Sequence, residues 1–266
     1  MYIYTKVNWI FRKDIEMKYT IFKIKNMITL EKIVIISILA VLISFPIKVS
    51  SNILFQNNFN AIDKYIWGIN NFEFFYIPVV CLYFYFMSFI KKDTFERMYL
   101  YRFKSKKQLL KVNLIVSLIF TIFFVVLLNT SLFLSLLLGD KGSIALNDLI
   151  LFIISNILQV LVLYIYELIC TAIDYLVVKN NKVIMAVSRI SIILITALGS
   201  FIPVLYVFKK ISLYNYFTYL NVIESRQSIL FILGILVFIS LFLFNVLETI
   251  VTNTEYMKYL DKNIEI

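Results

Sequence analysis

Histidine is absent from the 266 residues, and the chain has only two cysteines, five glycines and three prolines. The missing imidazole removes the commonest metal ligand and the commonest general base. That excludes an H-E-x-x-H zinc site, a Ser–His pair and any histidine-dependent membrane protease. With so little glycine there is no G-x-S-x-G nucleophile turn and no G-x-x-x-x-G-K-[ST] phosphate loop. If ATP drives this protein, another chain must bind it. Cys81 and Cys170 both fall inside apolar runs, far from metal-ligand spacing, and read as small packing residues. Acidic residues are also few, 16 against 26 Lys and Arg, for a net charge of +10. An aspartyl dyad could be assembled from Glu167, Asp174 and Glu248, but nothing in their spacing requires one. The chain therefore reads as a non-enzyme.

Apolar sequence is abundant instead. Hydrophobic residues make up 61% of the chain, and the mean hydropathy is +0.88. Such a composition belongs to an all-α polytopic membrane protein. Runs long enough to cross a bilayer occur at 30–48, 72–90, 112–138, 149–178, 183–208 and 229–251. The predicted organisation is an amphipathic interfacial segment over 1–29, a six-helix domain over 30–252 and a short tail over 253–266.

The basic residues flank these runs rather than forming a separate domain, so they speak to topology and not to nucleic acid. With both termini cytoplasmic, twenty of the 26 Lys and Arg lie inside, leaving Lys48, Lys64, Lys141, Lys209, Lys210 and Arg226 outside. The inverted arrangement would break the positive-inside rule. Of the outer loops, 49–71 is mostly polar, 139–148 is a tight turn carrying Gly139, Asp140 and Gly142, and 209–227 holds Tyr214, Tyr216, Phe217 and Tyr219. The last is too short and polar to span and too aromatic for a free loop, which places it along the outer interface.

The most charged stretch between two apolar runs is 91–111, KKDTFERMYLYRFKSKKQLLK, with eight basic residues and only Asp93 and Glu96 acidic. Asp93 with Glu96, and Ser105 with Gln108, are two helix-start signatures three residues apart. The first predicts a short cytoplasmic helix and the second opens the next span. At about 100° per residue, Phe95, Met98, Tyr99 and Phe103 share one side of the short helix, Arg97 and Lys104 lie opposite, and Arg102 interrupts the apolar side. A basic, aromatic helix of this kind suits a soluble partner, or simply rests on anionic headgroups.

Polar residues inside the runs form a second candidate site. On the fourth run Asn156, Glu167 and Asp174 fall within about 20° of one another on a helical wheel. Arg189 on the fifth run, and Asn245 and Glu248 on the sixth, lie at similar depth near the inner end. Because an unpaired charge at the bilayer centre costs at least about 2.5 kcal/mol, Arg189 is expected to pair with Glu167, Asp174 or Glu248. The cluster reads as a register-fixing network, a substrate path or a proton relay.

Six spans, an amphipathic N-terminal segment, a short cytoplasmic helix between spans two and three, and an aromatic stretch between spans five and six together resemble the permease subunits of ABC-2 type exporters. The local sequence YLYRFKSKKQLLKVNLI, residues 99–115, is similar to the approach to span three in small permeases of Gram-positive bacteria. The resemblance implies that residues 95–103 are a coupling helix, with Phe95, Glu96, Met98, Tyr99, Arg102 and Phe103 touching a separate ATPase. It also implies two ATPase copies carrying ATP and Mg, a second permease copy as homodimer or heterodimer, no cofactor in this chain, and a multi-pass place in the bacterial cytoplasmic membrane. Cargo would be a peptide or another amphipathic compound. A bacteriocin-immunity or sensor-associated protein and an ion-coupled secondary transporter are the alternatives.

Overall fold

The computed structural model describes residues 18–55, 61–94, 106–138, 146–176, 189–191, 216–217 and 229–253. Among them there is helix and no strand. The elements are α1 (18–27), α2 (Leu30–Phe55), α3 (Ala61–Ile69), α4 (Ile77–Thr94), α5 (Lys106–Leu137), α6 (Leu146–Leu176) and α7 (Ile229–Asn253). Four of these, α2, α5, α6 and α7, are long and apolar enough to cross a membrane; α3 and α4 together would make a fifth span, bent by 88°. Of the expected fifth run only residues 189–191 are described, and they are helical.

Side-chain pairs fix the direction of each helix. Lys23 with Asn113, Ser37 with Ser131, Ser44 with Ser135, and Lys48 with Leu138 keep a nearly constant sequence offset. The chain over α1–α2 therefore runs parallel to α5. Between α5 and α6 the numbers move oppositely, as in Asn129 with Gln159 and Phe133 with Phe152. The same reversal relates α4 to α5, where Tyr83 meets Thr121 and Phe86 meets Phe120. Lys107 at the start of α5 pairs with Glu248 near the end of α7. One end of the bundle, here the basic end, thus gathers α1, the starts of α2 and α5, and the ends of α4, α6 and α7.

At the basic end, α1 turns Tyr19, Lys23 and Met27 inward and leaves Lys18, Ile21, Phe22 and Lys25 exposed, a four-residue stripe at helical spacing. The Lys23 ammonium donates to Asn113 Oδ1 at 3.2 Å and lies over the Tyr19 ring. Across the break at 28–29, Lys32 Nζ donates to the Asn26 carbonyl, one of the groups a helix end leaves unmet.

Two elements differ from the sequence reading. The first run is expected to end at Lys48, yet α2 passes straight through Pro46 and continues to Phe55. Lys48 donates to the Leu138 carbonyl at the end of α5, which ties the polar extension to the bundle, and Ser51 bonds the Lys48 carbonyl within α2 itself. The stretch 49–71, expected as a polar loop, also contains α3, whose Ala61, Ile62, Tyr65 and Ile69 are buried. Gly68 lies against Ile47 of α2: a Cβ there would run into Ile47 Cδ1 and sit 3.0 Å from both of its Cγ atoms.

The 88° bend into α4 is built by Asn71. Its side-chain Oδ1 accepts from Phe74 N at 2.9 Å, and its carbonyl accepts from both Phe75 and Tyr76. This is N-capping, followed by a π-turn over Phe72–Tyr76. Pro78, second in α4, has no N–H to offer that turn, which relaxes the demand for α-spaced carbonyls there.

Candidate functional site

The helix α6 carries most of the buried polar chemistry, but the structure divides it into separate sets instead of one cluster. Toward the end of the bundle opposite the basic one, Asn129 of α5 faces Asn156 and Gln159 of α6. Asn129 Nδ2 donates to Asn156 Oδ1 at 3.0 Å and to Gln159 Oε1 at 2.8 Å, and Asn156 Nδ2 donates to the Phe152 carbonyl at 2.8 Å. All three residues are buried. Beside them, Tyr65 from α3 packs its ring 5.9 Å from Phe133 and 5.3 Å from Phe152.

In the middle of the bundle Glu167 is fully buried, and Thr171 Oγ1 donates to its carbonyl at 2.8 Å and approaches its carboxylate at 3.2 Å. Near it, Tyr83 and Thr121 share a 2.7 Å hydroxyl bond between α4 and α5, and Tyr76 and Tyr166 share one of 2.6 Å between the π-turn and α6. Phe217, from the stretch expected along the outer interface, is buried edge-on against Tyr76 at 5.1 Å. That residue packs inward as part of the core.

At the basic end the charges meet. Arg189 donates to Asp174 Oδ2 at 3.2 Å, with both side chains nearly enclosed, so Asp174 is the partner among the three acids considered. Glu248 pairs instead with Lys107, half exposed at the start of α5. Asn245 is exposed on α7, and its carbonyl accepts from Thr249. The six polar residues expected to share one site are therefore distributed among the amide set, the Glu167 set, the Asp174–Arg189 pair and the Lys107–Glu248 pair, with Asn245 apart.

Sequence reasoning missed Asn129, Gln159 and Lys107 as members of these sets. For Gln159 there was a signal, since it stands three residues after Asn156 on the same helix face. For Asn129 the only signal was a lone amide in a long apolar run. The expected coupling residues Phe95, Glu96, Met98, Tyr99, Arg102 and Phe103 lie outside the described residues. What is described is that α4 ends at Thr94 and α5 begins at Lys106, bracketing that stretch at the basic end. Among the described residues no group of three or more His, Cys, Asp and Glu could hold a metal ion.

The fold and these sets define a helical chain with membrane-spanning proportions and a polar interior distributed along α6. No protein-family model matches the chain, nor does any curated protein or solved structure.

Proposed function

We propose that this chain is the membrane-spanning permease subunit of an ATP-driven exporter of the ABC-2 type, moving a peptide or other amphipathic compound out of a bacterial cell. ATP hydrolysis belongs to a separate ATPase chain, and two copies of each make the working unit. The observation that carries this reading is the position of α5. It leaves the basic stretch 91–111 at Lys106 and packs on α2, α3, α4, α6 and α7. A soluble partner pulling on residues 95–103 would act directly on α5, and through it on every other described helix of the bundle, as a rigid lever. The apolar exposure of α2 and α7, including Phe45, Phe238 and Phe242, leaves faces for lipid and for a second permease copy.

The test is affinity purification of the full chain in mild detergent from its native cell, with identification of the soluble protein that accompanies it. A stoichiometric chain with a Walker A motif is the expected result. Tyr99→Ala, Phe103→Ala and Glu96→Arg should then release that chain or uncouple its ATPase while the permease stays folded. Full coupling in all three variants would overturn the role of 95–103.

The full burial of Glu167 favours ion-coupled secondary transport as a second reading. Under it, Glu167→Gln abolishes transport in the absence of any ATPase; under the exporter reading, ATP-driven transport survives that change.

A further inference from the structure

The amide set leaves hydrogen-bonding capacity over in a defined pattern. Amide orientations are fixed by a chain of bonds: the Phe152 carbonyl takes Asn156 Nδ2, which turns Asn156 Oδ1 toward Asn129 Nδ2, and the same Nδ2 takes Gln159 Oε1. Flipping Asn129 would set its oxygen against two other oxygens. In the orientation that remains, Asn129 Oδ1 and Gln159 Nε2 have no hydrogen-bond partner among the described residues, and neither does Ser155 Oγ one turn before Gln159. Asn129, Ser155 and Gln159 are all fully buried. At 1.5 Å per residue they lie roughly 4–10 Å from the middle of their spans, well inside a hydrocarbon layer about 30 Å thick. Lipid can offer them nothing, and unmet polar groups at that depth are strongly disfavoured.

Among Asn129, Ser155 and Gln159 the leftover atoms are one acceptor, one donor and one hydroxyl that does both, and the hydroxyl of Tyr65, whose ring lies beside Phe133 and Phe152, is buried without a partner among the described residues as well. No charged side chain belongs to the set, so the complementary guest is neutral. A hydroxyl group complements them in kind: its O–H can donate to Asn129 Oδ1, and its lone pairs can accept from Gln159 Nε2 and Ser155 Oγ. Three hydrogen bonds is also the usual complement of a buried water. We propose that Asn129, Ser155 and Gln159 form an intramembrane binding site for one neutral hydroxyl group, supplied by water or by a hydroxyl-bearing solute, at the seam between α5 and α6. The site is independent of how the chain is energised.

The experiment uses the full chain in lipid nanodiscs and combines two readouts. The first is the melting temperature of Ser155→Ala. Deleting a hydroxyl that bonds a guest lowers it, whereas deleting a buried hydroxyl with no partner leaves it unchanged or raises it. The second identifies the source of the guest. Radiolytic hydroxyl-radical labelling in buffer water marks Tyr65, Phe133 and Phe152 if water occupies the site, with Phe123 and Phe124 farther down α5 as unlabelled controls, and Gln159→Leu removes the marks. If the guest is a solute, those rings stay unmarked and mass spectrometry finds a hydroxylated compound that co-purifies with the wild type and is lost with Gln159→Leu. A melting temperature for Ser155→Ala at or above wild type overturns the proposal, as does the absence of both the marks and the co-purifying compound.

Discussion

The two seams on α5 are held by different chemistry. Against α2, which runs parallel, the side-chain pairs along the seam are hydroxyls, Ser37 with Ser131 at 3.4 Å and Ser44 with Ser135 at 2.7 Å, with Lys48 closing its far end on the Leu138 carbonyl. Against α6, which runs antiparallel, they are amides set beside stacked rings, with Phe133 and Phe152 5.4 Å apart. Small serines let two backbones approach, and each hydroxyl can fall back on a carbonyl of its own helix, as Ser44 already does with Val41. Amides are larger and depend on each other. Asn129 serves two acceptors through one nitrogen, so neither acceptor keeps its donor when Asn129 is lost. The difference teaches that the cost of a buried polar contact in this bundle follows what remains for the partner once one side is removed.

That rule orders the expected effects. Arg189→Ala removes the guanidinium from Asp174, whose side chain is 5% exposed, and should cost about 3–5 kcal/mol. Unfolding in mixed micelles reads it directly, and a loss as small as that of a serine variant would break the rule at its strongest point. Asn129→Leu comes next, at about 1–3 kcal/mol, since Asn156 Oδ1 and Gln159 Oε1 both lose their donor. The double change Asn129→Leu with Gln159→Leu should cost less than the sum of the two single changes; strict additivity in that cycle would mean the amides do not act as a unit.

Ser44→Ala should cost only about 0.6 kcal/mol, because Ser135 retains intrahelical acceptors. Should it match Asn129→Leu, the contrast between the seams disappears. The smallest effect belongs to Lys107→Gln. With its side chain 49% exposed, the pair with Glu248 is a surface ion pair worth about 0–1 kcal/mol, and raising salt in wild type should reproduce whatever change the variant shows.

Much of the bundle was legible before any coordinates. Helix α5 begins at Lys106, where Ser105 and Gln108 form a helix-start signature, and α7 begins at Ile229, where its apolar run begins. Caps are local, and a bilayer imposes a run length that composition reveals. The extension of α2 past Lys48 and the helix α3 were not legible. Their residues look like a polar loop until Lys48 finds the end of α5 and Gly68 settles on Ile47, contacts between segments distant in sequence. The helical wheel sets Asn156, Glu167 and Asp174 on one face of α6, but a wheel knows nothing of neighbours. The neighbours divided that face into an amide set, a Glu167 set and an ion pair.

What the sequence by itself determined is the material: helices of membrane-crossing length, a basic surplus, no histidine chemistry, and acids and amides embedded in apolar runs. Those follow from composition and from periods of a few residues, which each segment carries alone. Which buried group meets which was decided by tertiary structure. The parallel course of α2 and α5, the closing of Asp174 on Arg189 rather than Glu167 or Glu248 on it, and the capacity left over at Asn129, Ser155 and Gln159 depend on helix directions and offsets. Hydrogen bonds are short-ranged, strongest near about 3 Å and weakening steeply beyond it. Partners are therefore set by which turns of different helices come to the same height, and no single segment encodes that.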